Sequence, residues 1–516
     1  MQHPRPFSRA AFALAAALLA APPLFAAAAP RPGPDPAPDP VGGKGAALAG
    51  KLVGDSSAGG AYEHLRRFQS VADANGGDRA AGTTGYDASA AYVHGLLEAA
   101  GYRVRYEPFE FTYTEPLAQR LTVVAPEPRT VAVAAMTYTR STPEGGITAP
   151  LAPVPADGTP GCDPADYAGR PFTGRIALIE RGGCSFAAKQ AAAADAGAVG
   201  ATVRNDGEGV PAGTIGDPAA GWIPTGAVTL ADGEALLAGS ARGEVIVSLE
   251  IREFQERRVT RNVIAETRGG DPGRTAVFGA HLDSVSGSPG VNDNCSGAAG
   301  LLEVALRLAA TRVEPANRIR FAWWSGEEVG LLGSSAHVTG LGGAGGHLPL
   351  LYLNFDMIAS PNPGQFVYDG DVSDAVGAGP GPAGSAALER HINDFLDRSG
   401  VPHRGTDFDG RSDYGPFIAR GAPAGGLFSG AEGEKTQAQG DIFGGVVGEA
   451  YDRCYHQACD NMSNLNLLSF DELSDAAVTA LAVFANWKGP IAAPTTTLRA
   501  AGAARQMDYV GNRLRQ

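Results

Sequence analysis

The sequence predicts an α/β fold in which a mainly parallel mixed sheet is sandwiched by helices and carries a small β-rich inserted domain. Three observations predict it. Strand-like and helical runs alternate after residue 255, short Val/Ile/Leu runs between Gly, Pro and Asp turns fill residues 125–255, and 516 residues exceed what one core usually supports. Strands that alternate with helices form parallel sheets covered on both faces.

Residues 1–29 have the layout of a secretory signal peptide. Arg5 and Arg9 precede an apolar run over residues 10–19, and a Pro-Pro pair and small residues follow. The run is too short to span a bilayer, so we expect a secreted protein, extracellular or periplasmic, with no membrane association after cleavage. Residues 30–59 begin with a proline-rich stretch and are predicted to be a linker or a propeptide.

The α/β domain is predicted in two parts, residues 60–124 and residues 256–488, on either side of the insert at 125–255. The first part reads as helical to about Leu97 and then as a strand, and the insert contains one Ala-rich helix at 187–196. The second part has predicted strands at 263–265, 276–279, 319–324, 350–354 and 425–428, and predicted helices at 297–311, 329–338, 385–399 and 473–487. Residues 489–516 are expected to be a peripheral tail.

Charge and motifs exclude several classes of function. A net charge of −14 offers no broad basic surface, so no nucleic-acid partner is expected. The chain has no H-E-x-x-H, G-x-S-x-G or C-x-x-C motif. His337, His347 and His403 lack partners at ligand spacing and are predicted to be surface or loop residues. Of five cysteines, four can form one disulfide in each of two regions, or stay free, and Cys295 reads as a buried packing residue.

Side chains of the types that bind metals follow the predicted strands. Taken singly, such residues are more often capping or hydrogen-bonded side chains. Together they match the needs of two metal ions that share one carboxylate, each with a histidine and a further acid. The five positions are His281, Asp293, one acid of the pair Glu327-Glu328, Asp356 and His456.

Six segments, in order, closely resemble the bacterial secreted co-catalytic zinc aminopeptidases. The wider family includes glutamate carboxypeptidase, the transferrin receptor and glutaminyl cyclase. The resemblance is weak over residues 60–120 and strong over 255–488, and it implies a zinc exopeptidase fold that removes N-terminal residues from peptides. The segments are GAHLDSV (279–285), GVNDNCSG (290–297), FAWWSGEEVGLLGS (321–334), NFDMI (354–358), GRSDYGPF (410–417) and CYHQACD (454–460).

The resemblance implies two zinc ions as cofactors. His281 and Asp356 should bind one ion, Glu328 and His456 the other, and Asp293 should bridge them. The family usually has Asp-Asp where this chain has Asp293 followed by Asn, a variant that some secreted aminopeptidases share. Bound calcium is possible, but no feature of the sequence supports it.

The resemblance also implies roles for residues around the ions. Glu327 looks like the general base that takes a proton from a water bridging the ions, and Tyr455 like the donor to the developing oxyanion. Arg411 should help to hold the N-terminal end of the substrate. Asp283 should orient His281. Peptides with a free N-terminus are the expected substrates, large apolar N-terminal residues the expected preference, and a monomer the expected state.

The insert resembles a protease-associated (PA) domain in GCDPADY (161–167) and IALIERGGCSFAAKQAAAADAGA (176–198). This likeness fits a disulfide between Cys162 and Cys184, and Cys454 and Cys459 are expected to form the second. In related enzymes the domain sits at the cleft mouth, so the insert either limits substrate size or only stabilises the fold.

Three alternative functions stay open. A carboxypeptidase would need a basic cluster for the substrate's C-terminal carboxylate, and the motifs supply only Arg411. A single-zinc glutaminyl cyclase would not need the full bridging set. A non-catalytic binding protein on the same scaffold would be expected to lack ligands, yet all five positions and Glu327 are intact.

Overall fold

The computed structural model describes residues 47–48, 50–52, 58–206, 210–211, 213–341, 347–377 and 379–491, and the backbone of 509–510 and 513–514. The predicted signal peptide, most of the predicted linker and most of the predicted tail lie outside these residues. Of the helices in the described part, none combines the length and apolar character needed to cross a membrane.

The helices and strands have the following bounds. The helices are α1 (Ala58–Ala74), α2 (Thr84–Ala99), α3 (Phe186–Asp195), α4 (Leu230–Arg242), α5 (Gly297–Thr311), α6 (Leu332–Leu341), α7 (Ser385–Ser399), α8 (Gly415–Ala419), α9 (Gln437–Phe443) and α10 (Leu467–Phe484). The strands are β1 (Arg103–Ala125), β2 (Arg129–Val131), β3 (Ala134–Ala135), β4 (Ile147–Pro153), β5 (Ile176–Glu180), β6 (Gly200–Arg204), β7 (Thr225–Val228), β8 (Ile246–Glu266), β9 (Asp271–His281), β10 (Asn317–Trp324), β11 (Leu351–Phe355), β12 (Phe366–Tyr368), β13 (Arg404–Thr406), β14 (Ala424–Phe428), β15 (Tyr509–Val510) and β16 (Arg513–Leu514).

A single path of hydrogen-bonded strands runs through the main domain and the insert. In the main domain the order is β13-β12-β14-β11-β9-β10-β8, with β1 paired to β8. The central strands β10, β9, β11 and β14 are parallel, and β8 and β12 flank them in the antiparallel sense. The predicted mainly parallel mixed sheet is therefore confirmed.

Helices cover both faces of this sheet. Successive strand residues point to opposite faces, so Phe278 packs into a core formed with α1, α2, α5, α7 and α10. Its neighbour Val277 packs on the other face, in a cluster with residues of α6 and α8. The apolar strands are buried on both sides, as the continuous hydrophobic runs in the sequence predict.

The insert contains two helices, α3 and α4, beside its strands. Its strands β4, β5, β6 and β7 are parallel, and β3 pairs antiparallel with β7. The predicted Ala-rich helix is confirmed as α3, but the second helix, α4, was not predicted. Gly233 and Gly239 weaken the helical signal of α4, whereas the Thr229 side chain caps its N-terminus by accepting from the N–H of Asp232.

Candidate metal centre

The predicted ligands meet at one edge of the parallel strands. His281 is the last residue of β9, Glu328 lies just after β10, and Asp356 follows β11 directly. The loop between β9 and α5 supplies Asp293, and the long segment between α9 and α10 supplies His456. Since the carboxyl ends of parallel strands share one edge of a sheet, side chains distant in sequence converge there.

Asp293 lies between the two histidines. One of its carboxylate oxygens is 3.2 Å from Nε2 of His281 and the other is 3.1 Å from Nε2 of His456. Asp356 is 3.2 Å from the same nitrogen of His281, and Glu328 is 3.1 Å from that of His456. Two ligand atoms of a tetrahedral zinc ion, each bound at about 2.0 Å, lie about 3.3 Å apart. The spacing fits two ions that share Asp293.

Asp283 contacts both His281 and the turn that carries Glu327 and Glu328. Nδ1 of His281 contacts the backbone carbonyl of Asp283 at 3.1 Å, whereas the carboxylate is 3.8 Å away. A carbonyl can only accept, so Nδ1 donates this hydrogen bond, and the Nε2 lone pair of the neutral ring would then be available to a cation placed between His281, Asp293 and Asp356. The Asp283 carboxylate instead accepts from the N–H groups of Glu327 and Glu328, at 3.4 and 3.3 Å.

Glu327 is buried in a strongly acidic environment. Its side chain is 1% exposed, and neither carboxylate oxygen has a hydrogen-bond partner among the residues that the structure describes. Burial raises the pKa of Glu327 well above its usual range, and the charges of Glu328 and Asp356 raise it further, against the opposing effect of His281. This carboxyl is poised to exchange a proton with a group placed in the site.

The acids around His456 favour its positively charged form. Burial lowers the pKa of His456, but Glu328 and Asp293 outweigh burial and raise it to about 10. Several carboxylates buried together without a counter-charge are energetically costly, and a bound cation would remove that cost. The residues present therefore fit divalent metal ions.

Tyr455 and Arg411 lie beside this cluster. The Tyr455 ring stacks on His456 with a centroid separation of 3.8 Å. Burial raises the pKa of Tyr455 well above its usual range, as does the nearby charge of Asp293, while Arg411 opposes them. The Arg411 guanidinium is 2.6 Å from a carboxylate oxygen of Glu432, a residue that the sequence interpretation missed. The disulfide between Cys454 and Cys459 encloses Tyr455 and His456, as predicted.

Ser412 is a second residue that the sequence interpretation missed. Its hydroxyl donates to Asp356 at 2.5 Å and accepts from the side-chain amide of Asn354 at 2.8 Å. A short hydrogen bond to a carboxylate fixes that carboxylate in one orientation. The signal was present, because Ser412 lies in the motif that supplies Arg411.

Asn294, the departure from the usual Asp-Asp pair, has a structural explanation. Its side-chain oxygen accepts from the N–H groups of Gly297 and Met357, and its amide nitrogen donates to the carbonyl of Phe355 at 2.9 Å. The side chain thus joins the Asp293 loop to both neighbours of Asp356. An ionised aspartate could accept the first two bonds but could not donate the third.

The other cysteines and histidines follow the sequence only in part. Cys162 and Cys184 form the disulfide of the insert, and Cys295 is free and buried, as predicted. The prediction that His337 is a surface or loop residue is wrong. It lies buried in α6, where its ring contacts Glu107 of β1 at 2.7 Å and Arg320 of β10 at 3.2 Å.

One further group of acids lies close together, formed by Asp369, Asp371 and Glu389. Backbone donors already engage its buried members. Asp369 accepts from the N–H groups of residues 371 and 373, and Glu389 accepts from that of Gly370 at 2.8 Å. We therefore assign no calcium or other ion to this group.

Comparison with known proteins identifies the family of this chain. The model of peptidase family M28 matches residues 262–481, and that of the PA domain matches residues 147–236. An aminopeptidase of Pseudomonas aeruginosa (strain UCBPP-PA14) is 42% identical over 427 residues, which cover 80% of this chain and 78% of that protein. The chain belongs to peptidase family M28. The predicted family and inserted PA domain are confirmed, while the domain boundaries remain predictions.

Two further relatives of this M28 peptidase extend the comparison. Leucine aminopeptidase 2 of Arthroderma otae is 43% identical over 390 residues, covering 75% of this chain and 76% of that protein. The solved aminopeptidase from Aneurinibacillus sp. strain AM-1 has a TM-score of 0.68 at 25% identity, over 84% of this chain and 95% of that chain. The likeness therefore extends over the insert as well as the main domain.

Proposed function

We propose that this M28 peptidase is a zinc-dependent aminopeptidase with two zinc ions in its active site. The observation that carries the proposal is the position of Asp293 between His281 and His456, each of which has a further carboxylate beside it. The similarity to proteins named aminopeptidase, over about four fifths of the chain, supports the same activity.

The ligands divide into two sets that share one member. His281, Asp293 and Asp356 would hold one ion, and Asp293, Glu328 and His456 would hold the other. Bound zinc supplies a Lewis acid that polarises the scissile carbonyl and makes water more acidic. Histidine and carboxylate donors suit zinc, and three protein ligands leave a position open in the way that hydrolytic sites require.

The residues beside the ligands divide the remaining chemistry. Glu327 accepts a proton from the attacking water and delivers it to the amine that leaves, which suits a buried carboxyl whose pKa is raised. Tyr455, half-buried against His456, donates a hydrogen bond to the oxygen on which negative charge develops. This division needs no other side chain to change its protonation state.

Arg411 and Glu432 are proposed to define the end of the substrate site. Glu432 holds the Arg411 guanidinium at 2.6 Å while its own side chain stays 51% exposed, so the pair can face a peptide. The free N-terminus of the substrate is proposed to bind here. A preference for leucine or another large apolar N-terminal residue is supported by the resemblance and by the name of the Arthroderma otae relative. Two disulfides support export to an oxidising compartment.

The test is hydrolysis of leucine p-nitroanilide by the full chain, before and after removal of metal by a chelator and after return of zinc. We expect activity that disappears on chelation and returns with zinc. N-acetylated leucine p-nitroanilide is the control and should not be cleaved. A protein that holds two zinc ions but shortens unblocked peptides from the C-terminus, or cleaves no substrate with a free N-terminus, would contradict the proposal.

A further inference from the structure

Three consecutive N–H groups of the loop that carries Asp293 end on a single residue, Asp460. The N–H of Val291 donates to the backbone carbonyl of Asp460 at 3.1 Å. The N–H groups of Asn292 and Asp293 donate to its two carboxylate oxygens, at 2.8 and 3.0 Å. Asp460 is fully buried. Its carboxylate therefore fixes the backbone of Asp293 rather than its side chain.

Asp460 belongs to the segment that carries the second histidine. It lies four residues after His456 and directly follows the disulfide between Cys454 and Cys459. One more bond joins the two loops nearby, from the hydroxyl of Ser288 to the carbonyl of Gln457 at 2.8 Å. These four hydrogen bonds join the loop that carries Asp293 to the segment that carries His456.

A side-chain network holds Asp460 itself in place. The amide of Asn464 donates to Asp460 at 3.1 Å and to both carboxylate oxygens of Asp452, at 2.9 and 3.0 Å. Asp452 also accepts from the side-chain amide of Asn292 at 2.7 Å. Buried networks whose members are all bonded hold one geometry, because any displacement leaves buried polar groups unpaired.

We propose that Asp460 is a positioning residue that holds the bridging ligand Asp293 in register with His456. The inference rests on the two-ion site proposed above. The ion between Glu328 and His456 takes two of its three ligands from the loops that Asp460 joins. The other ion takes only Asp293 from them, because its remaining ligands follow strands β9 and β11. Loss of Asp460 therefore weakens binding of the first ion more than that of the second.

The experiment measures zinc content against free zinc concentration for the full chain and for Asp460→Ala. The variant keeps the backbone acceptor but loses both carboxylate acceptors. We expect one ion to stay bound and the affinity for the other to fall about 10- to 100-fold, as for other residues that orient metal ligands. High free zinc should restore kcat toward the wild-type value with little change in KM. Loss of fold stability alone would lower the apparent affinity for both ions, because zinc binds the folded chain, and would not affect one ion selectively.

Two further variants make the result decisive. Asp460→Asn keeps the side-chain size and one oxygen acceptor, so it should fold if the alanine variant does not, and should lose the same ion to a smaller extent. Glu389→Ala is the control. It removes another buried carboxylate that accepts a backbone N–H, from Gly370, but that lies outside the predicted ligand loops, so both zinc affinities should stay unchanged.

Unchanged affinity for both ions in either Asp460 variant would overturn the inference, whatever happens to the melting temperature. Equal weakening of both ions would overturn it as well. A wild-type protein that binds fewer than two zinc ions would refute the proposed metal centre instead. The wild-type measurement thus separates failure of the proposed function from failure of the role given to Asp460.

Discussion

Replacing Glu327 with glutamine should lower kcat by about 10²- to 10⁴-fold without disturbing the fold or the metal centre. The change keeps the size of the side chain and removes its ability to take up a proton. No described donor bonds to either carboxylate oxygen, so the substitution leaves no partner unpaired. We expect the free energy of unfolding to change by less than about 1 kcal/mol, since the substitution creates no cavity and breaks no described hydrogen bond.

The loss of activity follows from the loss of the base. General acid–base catalysis by a positioned side chain contributes about 10²- to 10⁴-fold to the rate, which corresponds to about 2.7–5.5 kcal/mol in the activation barrier. The assay is kcat for leucine p-nitroanilide at saturating substrate, with zinc content and melting temperature measured on the same samples. We expect kcat to fall within that range while two zinc ions stay bound.

Glu328→Gln is the matched control, because it changes the neighbouring residue in the same way. Glu328 lies 3.1 Å from His456, so this variant should lose affinity for one zinc ion. A Glu327→Gln enzyme that keeps more than about a tenth of the wild-type kcat would refute the role of Glu327 as the base. Loss of zinc from the Glu327→Gln variant would instead indicate that Glu327 is a metal ligand.

Two other changes have definite outcomes. Ser412→Ala removes the hydrogen-bond donor to one carboxylate oxygen of Asp356. The affinity for the zinc ion beside His281 should then fall about 10- to 100-fold in a chelator titration. An unchanged affinity would contradict this expectation. Burial raises the pKa of Glu107, but His337 and Arg105 lower it to about 2. Because this folded-state pKa lies below the usual 4.5, the stabilisation is complete above pH 4.5 and is lost as pH falls toward 2. Glu107→Gln should therefore cost about 2–3 kcal/mol at pH 6 and less at pH 3.5 in urea unfolding, and a pH-independent difference would contradict this.

The strands and the residues that follow them could be predicted because an apolar run and the polar residue after it are both local features of the sequence. The predicted helices at 297–311 and 385–399 match α5 and α7, and the ligands that follow the strands meet as expected. The helix predicted at 329–338 begins instead at Leu332. Gly330 and Leu331 have positive φ values of 121° and 56°, and hydrophobic periodicity carries no information about such a turn.

The supporting residues could not be predicted because their partners are distant in sequence. Asp460 binds N–H groups that precede it by 167 and 168 positions, and backbone donors leave no pattern in side-chain identity. The same limit explains Asp283. The sequence indicated that this residue is near His281, but not that its carbonyl makes the contact while its carboxylate holds the following turn.

The pairing of β1 with β8 bears on how the PA domain can be gained or lost. The two strands run antiparallel from the pair Arg103–Glu266 to the pair Ala125–Ile246, so the chain leaves the main sheet and returns at adjacent positions. Thr112 and Arg257, for example, are direct partners. A tight hairpin between them could replace the whole insert without changing the strand order around the ligands. The insert is thus a detachable module, joined at a point where excision requires no rethreading of the chain.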